Sequence, residues 1–380
     1  MKSFQRNMEN NDMQTKDMTE NKDEVKTENG KQKVVLSGIR STGNLHLGNY
    51  FGALSKFVRM QNDYDCRYFI ADLHALTTNP DPKSLHESVK DILAEYIAAG
   101  IDPEKNIIYV QSDVPEISEM YLLMNMHVGI GELMRTASFK DKARKALGIT
   151  SDSDEIEKEI IGNQTNQRVN AGLLTYPTLM AVDILIHHAD YVPVGKDQEQ
   201  HLELTRRFAR RFNSFYKIDY FGEPVNYNFE ASEALKVPGL DGSGKMGKSE
   251  GNCIYLIDDE KTLRKKVMRA VTDEGPKEPN SPVSQPVENL FMLMNLVSDK
   301  DVIDHFRQAY ADCSIRYGDM KKQLAEDILK VTLPIRERIL DIRSNDEYLS
   351  KVVKEGAERA RYHAAKTLKD VREIMGIRRI

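Results

Sequence analysis

The sequence predicts an α/β protein in which a Rossmann-like, doubly wound parallel sheet is followed by a C-terminal α-helical domain. Short apolar runs alternate with helical patterns, as in a parallel sheet with crossover helices. A polar turn containing glycine follows the first apolar run. Beyond residue 257 the chain shows several amphipathic helical windows and no convincing strand. Together these observations favour a nucleotide-binding sheet domain joined to a helical region.

Four apolar runs are the predicted strands, and three segments with apolar residues at helical spacing are the predicted helices. Ligands of such sheets bind beyond the carboxyl ends of the strands. Ser37 to Asn49 would lie at one of these ends. The predicted strands are 34–36, 68–73, 106–110 and 191–195, and the predicted helices begin near 45, 84 and 197.

Composition divides the chain into three parts. Residues 1–32 form a polar, mixed-charge leader that has almost nothing to bury, so we expect it to be disordered. Residues 33–257 form the predicted catalytic domain, with a helical insertion at about 113–188. Within this insertion, about 148–170 is polar and acidic and is predicted to be flexible. Residues 258–380 form the predicted helical region.

Charge and cysteine content exclude several classes of protein. The formal net charge of −5 disfavours indiscriminate nucleic-acid binding. A local patch remains, because residues 351–380 hold nine Lys or Arg against four Asp or Glu; solvated helix faces often look the same. The three cysteines match no metal-ligand spacing, so we expect no protein metal site. The leader lacks a signal-like stretch and no apolar run approaches about 20 residues, which predicts a cytoplasmic protein with no membrane partner.

Two short motifs carry the chemistry. Lys245 and Lys248 lie three apart on a glycine-rich loop, 242–249, which suits a mobile clamp for a polyphosphate. Far upstream, His46 and Asn49 lie three apart on the first turn of a predicted helix and therefore face the same side. A capping or surface histidine is the alternative interpretation of His46 taken alone.

The two motifs resemble the signature sequences of class I aminoacyl-tRNA synthetases. They are His-Leu-Gly-Asn at 46–49 and Lys-Met-Gly-Lys-Ser at 245–249. Three segments between them, 172–177, 180–185 and 193–198, are similar to those of the bacterial tryptophanyl-tRNA synthetase family. The resemblance runs from about residue 33 to the C-terminus, with the 148–170 segment outside it.

The resemblance implies a two-step reaction: tryptophan and ATP form tryptophanyl-adenylate and pyrophosphate, and tryptophan then passes to the 3′ end of its tRNA. It implies a homodimer whose helical region reads the anticodon. Lys245 and Lys248 would hold the leaving pyrophosphate, with Mg²⁺ accompanying ATP, and His46 and Asn49 would contact phosphate oxygens. The ATP-contacting positions implied by the resemblance are Arg40, Ser41, Thr42, Gly48, Asn49, Gly195, Lys196, Asp197, Val237, Lys245, Met246, Gly247, Lys248 and Ser249.

Asp183 is the candidate for side-chain selection. It lies on an otherwise apolar predicted helix, where a carboxylate is costly to bury without a partner such as an indole N–H. A solvated or helix-paired aspartate is the alternative. The resemblance places Tyr176 and Gln198 at the ammonium and carboxylate of tryptophan. It places Met180 and His74 on the pocket wall, although Met180 also fits simple core packing.

Two positions depart from the family pattern. Many bacterial members carry glutamine where this chain has Arg40, and a guanidinium there favours a phosphate contact. Gly247 stands where serine is usual, which predicts a more flexible loop. Two alternative functions stay open: a tyrosyl-tRNA synthetase, which shares the fold and motif order, and a non-catalytic paralogue that binds tRNA or senses tryptophan.

Overall fold

The computed structural model describes residues 30–41, 43–148, 169–195, 198–227 and 237–377, without the Ser249 side chain. The predicted leader up to residue 29 and most of the predicted flexible segment, 149–168, lie outside the described residues. So do three of the expected ATP-contacting residues, namely Thr42, Lys196 and Asp197.

Five parallel strands form one sheet in the order β3-β2-β1-β4-β5. Because the order reverses between β1 and β4, a crevice opens at the carboxyl ends of these two strands. This confirms the predicted doubly wound fold. The strands are β1 (Val34–Arg40), β2 (Asp65–Ala71), β3 (Ile107–Val110), β4 (Tyr191–Val192) and β5 (Val225–Asn226).

Eight helices belong to the described part of the chain before residue 258. The first, α1, covers residues 47–60 and includes a π-helical segment, Tyr50–Leu54. The others are α2 (Asp72–Ala75), α3 (Pro82–Ala98), α4 (Pro115–Asn125), α5 (Ile130–Met134), α6 (Ala137–Leu147), α7 (Ala171–Ile186) and α8 (Glu199–Tyr216).

The observed strands and the predicted ones differ at their ends. The predicted strand at 68–73 stops at Ala71, because the Asp72 carboxylate accepts the Leu73 N–H at 2.9 Å and α2 begins there. The strand predicted at 191–195 has only two residues, since Pro193 has no N–H for a sheet ladder. The two-residue β5 was not predicted, because so short a strand has no readable alternation.

Helices alone make up the regular structure of residues 258–377, as predicted: α9 (Glu260–Met268), α10 (Gln285–Val297), α11 (Lys300–Ala311), α12 (Tyr317–Ser344) and α13 (Asp346–Ile374). They pack directly on the sheet domain. A Cβ on Gly356 of α13 would lie 1.7 Å from the Ile108 carbonyl oxygen of β3. A single apolar cluster includes Tyr96 of α3 together with Phe291 and Leu324 from α10 and α12. The two regions therefore share core packing.

None of the helices in the described residues is both long and apolar enough to cross a membrane.

Candidate active site

A cavity of about 440 Å³ lies at the carboxyl ends of β1 and β4, where the strand order reverses. Its volume falls within the range of small-molecule sites, roughly 300–1,000 Å³. Side chains from β1, α1, α2, α6 and α7 line it, together with the loop after β4. Eight of the predicted site residues meet here: Arg40, Asn49, His74, Tyr176, Met180, Asp183, Gly195 and Gln198.

Asp183 lies on α7 at the floor of this cavity and is almost fully buried. The His74 ring contacts its Oδ2 through Nε2 at 3.0 Å. The Gln111 amide donates to both carboxylate oxygens at 2.9 Å. Burial raises the pKa of Asp183, while His74 and Gln111 oppose that shift. The Asp183 carboxylate was expected to find its hydrogen-bond donor in a ligand, but His74 and Gln111 supply most of its partners.

Tyr176, two turns before Asp183 on α7, joins the cavity to a second buried histidine. Its hydroxyl lies 2.9 Å from Nε2 of His201. The ammonium of Lys142, on α6, lies 3.5 Å from the centroid of the Tyr176 ring, a close cation–π contact. Burial raises the pKa of the Tyr176 hydroxyl. The Tyr176 ring is therefore held in place on two sides, with its face toward a cation.

Two cations, Arg40 and Lys142, line the same cavity. Burial lowers the pKa of Arg40. Burial and the neighbouring Arg40 lower the pKa of Lys142 to about 8. The Arg40 Nε atom is buried and has no hydrogen-bond partner within the described residues. Two like charges in a half-buried site favour an anionic ligand, since an anion would offset both repulsion and lost hydration.

His46 precedes the first turn of α1, and its backbone N–H donates to the Asn49 side-chain oxygen at 3.1 Å. Burial, with Lys248 and Lys245 adding to it, lowers the pKa of His46 to about 4. The imidazole is therefore neutral at physiological pH and can donate one hydrogen bond. A Cβ on Gly48 would lie 2.8 Å from Nδ1 of His46. Glycine is needed here to admit the histidine ring; close approach of adenine to Gly48 stays a prediction.

The lysine loop lies against the start of α1. The Lys248 Nζ donates to the Gly43 carbonyl at 2.6 Å, directly after β1. Backbone hydrogen bonds of 2.9 Å join Leu47 to Ile254 and Leu256 to Leu45, so the chain just beyond the loop pairs with the chain that enters α1. Lys245 is exposed, whereas Lys248 is half-buried. The two motifs predicted to belong to one site therefore lie side by side, joined through the residues that flank them.

The side chain of Asn252 holds the lysine loop through several hydrogen bonds. This buried amide donates to the Asp241 carboxylate at 2.9 Å and to the Lys245 carbonyl at 3.1 Å. Its oxygen accepts the Gly247 N–H at 2.9 Å. Gly242 and Gly251, near the two ends of the loop, have φ of +82° and +67° and so adopt the left-handed conformation that glycine favours. The loop thus has a fixed inner edge and glycine at its ends.

Three further residues expected to contact ATP are Ser41, Val237 and Met246. Met246 and Val237 are buried, and the Val237 carbonyl accepts the Met246 N–H at 2.8 Å, so that carbonyl is occupied in this conformation. Ser41 is buried, and its hydroxyl has no hydrogen-bond partner within the described residues. No cluster of three or more metal-ligating side chains occurs in the described ranges.

Sequence reasoning did not single out three residues that the structure brings to the site: Gln111, Lys142 and Asn252. Gln111 directly follows β3 and Asn252 follows the lysine loop, so position relative to strand and motif would have indicated both. Lys142 lies in a helix with several other cations, Lys140, Arg144 and Lys145, and nothing in the sequence separates it from them.

The family model described as tRNA synthetases class I (W and Y) matches residues 28–332. A tryptophan–tRNA ligase of Porphyromonas gingivalis is 60% identical over 346 residues, which cover 91% of this chain and 100% of that protein. The tryptophanyl-tRNA synthetase of Campylobacter jejuni, solved with ADP and tryptophan, superposes with a TM-score of 0.77 at 32% identity and covers 90% of this chain and 99% of its own.

A tyrosyl-tRNA synthetase of Archaeoglobus fulgidus superposes with a TM-score of 0.55 at 18% identity, over 81% of this chain and 90% of its own, which shows a shared fold alone. The family model covers most of the sequence, and the Porphyromonas enzyme matches along its whole length. This chain therefore belongs to the class I tRNA synthetases of the tryptophan and tyrosine group.

Proposed function

We propose that this protein is a tryptophan–tRNA ligase that activates L-tryptophan with ATP and transfers it to the 3′ end of tRNA(Trp). The observation that carries the proposal is the 60% identity to the Porphyromonas gingivalis tryptophan–tRNA ligase along its entire length. The cavity agrees with it, because a buried acceptor at one end and two cations at the other suit an amino acid joined to a phosphate.

Tryptophan would lie with its indole toward Asp183. Each carboxylate oxygen has two lone-pair positions, and His74 and Gln111 use three of the four, so one acceptor site remains for an indole N–H. His74 and Met180 would form the walls of the indole pocket. Tyr176 and Gln198 would contact the ammonium and carboxylate of the amino acid.

ATP would occupy the other end, between β1 and β4. Arg40 and Lys142 provide positive charge for the phosphates, with Ser41, Thr42, Asn49 and the lysine loop as further contacts. Gly195, Lys196 and Asp197 would contact the ribose, and Gly48, Val237 and Met246 the adenine. Mg²⁺ bound to the phosphate oxygens would neutralise charge on the polyphosphate. The described residues offer no acidic cluster for a separate metal site.

Activation needs positioning and charge more than a protein nucleophile. A carboxylate oxygen of tryptophan forms a bond to the α-phosphorus, and the bond from that phosphorus to the bridging oxygen breaks. Pyrophosphate leaves with the electron pair. Lys245 and Lys248 would bind it as its charge grows, and the neutral His46 would donate a hydrogen bond to the same phosphates. In the second step the tRNA 3′-terminal ribose hydroxyl attacks the carbonyl carbon and AMP leaves.

A homodimer is the proposed assembly. Leu122, Met126, Ile130 and Phe215 are apolar side chains that are each more than half exposed, and the Phe215 ring contacts the ring of His127. We infer that they form one apolar patch, and exposed apolar patches mark protein interfaces. Met126→Lys should shift sedimentation toward a monomer, whereas Tyr362→Lys, on an exposed residue of α13, should not. A Met126→Lys protein with unchanged sedimentation would count against this interface.

The helical region is the proposed anticodon reader, and the cytoplasm the proposed location. Part of the predicted basic patch on α13 is used inside the protein. Arg361 pairs with Glu116 at 3.2 Å and Arg372 pairs with Glu119, both on α4. These arginines hold α13 against the sheet domain, so tRNA contacts would come from other cations of this region.

Pyrophosphate exchange tests the function and separates it from the alternatives. Purified protein with Mg-ATP should exchange labelled pyrophosphate into ATP with tryptophan, and tRNA(Trp) should then be charged. Exchange with tyrosine alone would indicate a tyrosyl-tRNA synthetase. Tryptophan binding without exchange would indicate a non-catalytic paralogue.

A further inference from the structure

Glu95 on α3 is a fully buried carboxyl group that the proposed reaction does not use. Its Oε2 accepts the Leu45 N–H at 2.9 Å. Its Oε1 is buried and has no hydrogen-bond partner within the described residues. A carboxyl group in such a place costs stability, so an unpaired oxygen on a buried helix face points to a functional requirement.

Glu95 lies beneath the junction of the two motifs. Leu45 precedes His46, and its carbonyl accepts the Leu256 N–H at 2.9 Å. His46 itself pairs with Tyr255 in an antiparallel bridge. The residues that follow the lysine loop are therefore attached to the segment that Glu95 holds. Any movement of the Leu45 backbone would change where the lysine loop is anchored.

Glu95 also interacts with the loop through charge. Burial raises the pKa of Glu95 to about 8, against the opposing effects of the Leu45 N–H and the Lys248 ammonium. Burial lowers the pKa of Lys248, and Glu95 opposes that shift. Asp91, one turn earlier on α3, adds a small upward shift to Glu95, but Arg343 of α12 pairs with it. Lys248 is thus the cation with the strongest electrostatic effect on Glu95.

We propose that Glu95 is a positioning residue that governs where Lys248 lies. Its carboxyl group holds the Leu45 backbone under the junction of the two motifs. The ionised carboxylate retains Lys248 at the start of α1, and the protonated form releases Lys248 to the phosphates of ATP. The proposal rests on the activation reaction proposed above. Near neutral pH most Glu95 side chains are protonated and Lys248 is available to ATP. At higher pH the carboxylate competes with pyrophosphate for the same ammonium.

Glu95→Gln separates charge from shape. The amide keeps an acceptor for the Leu45 N–H but cannot ionise. We expect the ratio of variant to wild-type kcat for pyrophosphate exchange to rise between about pH 7 and pH 9. The rise should approach tenfold, because a group with a pKa near 8 keeps its proton in only about one molecule in ten at pH 9. Parallel pH profiles for the two proteins would overturn the proposal.

Chemical modification gives a readout that does not require activity. Acetic anhydride reacts with the neutral amine, so a countercharge that keeps Lys248 protonated protects it. Without ATP at about pH 9, the ratio of Lys248 to Lys245 acetylation, measured by mass spectrometry, should be severalfold higher in Glu95→Gln than in the wild type. Equal ratios in both proteins would count against the proposal even if the wild type showed no exchange. Absence of wild-type exchange would instead contradict the proposed function.

Stability provides the check on folding. The folded protein keeps the Glu95 proton between pH 4.5 and about 8, whereas the unfolded chain loses it, so wild-type stability falls as pH rises through this window. Glu95→Gln lacks this loss of stability, so its Tm should exceed that of the wild type near pH 8 and approach it near pH 4.5.

Asp327→Asn is the matched control for Glu95→Gln. Asp327 is buried on α12 with one unpartnered oxygen among the described residues, and it bonds Gln323 and Lys330 of its own helix. It should leave the acetylation ratio unchanged.

Discussion

The two ends of the cavity are prepared for their ligands in opposite ways. At the α7 end, the carboxylate of Asp183 already has His74 and Gln111 as partners. At the β1 end, Arg40 and Lys142 place two partly buried positive charges side by side, with one Arg40 nitrogen unpartnered in the described part of the chain. One end is a preformed set of hydrogen bonds, and the other holds charge that a ligand must neutralise.

This difference suggests a division of labour. A preformed, satisfied pocket selects by shape and by one remaining acceptor, at little cost on binding. Unneutralised cations gain most when negative charge is concentrated near them, as in a departing pyrophosphate. The α7 end should therefore control which amino acid binds, and the β1 end with the lysine loop should control how fast it reacts. Variants at each end test the division.

Lys248→Ala should have the largest effect. Its ammonium donates to the Gly43 carbonyl, shortly before the first motif, and we expect the phosphates to leave there. We expect kcat for pyrophosphate exchange to fall by about 10²–10³-fold, as when one electrostatic donor to a transition state is removed. Tryptophan affinity, measured by calorimetry, should change little.

Lys277→Ala provides the control for Lys248→Ala, because Lys277 is an exposed lysine of the same chain, remote from the cavity lining. It should behave as the wild type. If Lys248→Ala lowered tryptophan affinity by the same factor as kcat, the two ends of the cavity would not have separate roles in binding and in rate.

Asp183→Asn should act on selection. The amide keeps one acceptor oxygen, which Gln111 and His74 would use, so the indole N–H of tryptophan would lose its acceptor at a cost of about 1–3 kcal/mol that phenylalanine does not bear. The preference for tryptophan over phenylalanine in kcat/KM should therefore fall by roughly 10- to 100-fold. A larger loss is not expected, because the protein already supplies most partners of the carboxylate. An unchanged preference would remove Asp183 from the selection of tryptophan.

The part of the site that follows strand ends and short motifs could be predicted from sequence. Asn49 and Asp183 were found because Asn49 lies on the first turn of a helix and Asp183 on an apolar helix, whereas His74 was placed by the family resemblance. Lys142 and Glu95 were not found, because the surroundings of each are set by tertiary contacts between separate elements. Gln111 was missed although its place directly after β3 indicates it. A buried glutamate in a helix looks like any exposed one until the fold shows Leu45 above it.

The same limit applies to the architecture. Alternating patterns predicted the parallel sheet and the helical region, since periodicity is local. The shared core of the two regions was not predictable, because it depends on packing such as Gly356 against the Ile108 carbonyl. Pattern alone suggested separation where the structure has apolar clusters that contain residues of both regions.

Asn252→Ala should have a moderate effect at the β1 end. It removes the donors and the acceptor that join residues 241, 245 and 247, so the loop would no longer be held for ATP. Loss of about 1.5 kcal/mol of net hydrogen bonding corresponds to a rise of roughly tenfold in KM for ATP. Tryptophan affinity should hold. Asn106→Ala is the matched control for losing a buried asparagine. Asn106 precedes β3, at the end of the strand away from the cavity, and its side chain donates to Gln61 and Asp102. A KM change of the same size in both variants would assign the effect to general destabilisation.

Gly247→Ser should have the smallest effect, although it restores the residue usual in the family. The backbone at Gly247 is extended, with φ of −150° and ψ of 141°, a conformation open to any residue. A Cβ there would lie 3.6 Å from Cγ of Glu250, an ordinary contact. The backbone therefore favours glycine at Gly242 and Gly251, whose φ values are positive, and accepts any residue at Gly247. We expect kcat for pyrophosphate exchange to change by roughly twofold, about 0.5 kcal/mol, because neither charge nor backbone geometry is altered. A tenfold change in either direction would show that the hydroxyl itself contacts the phosphates, and the β1 end would then depend on a hydrogen bond as well as on charge.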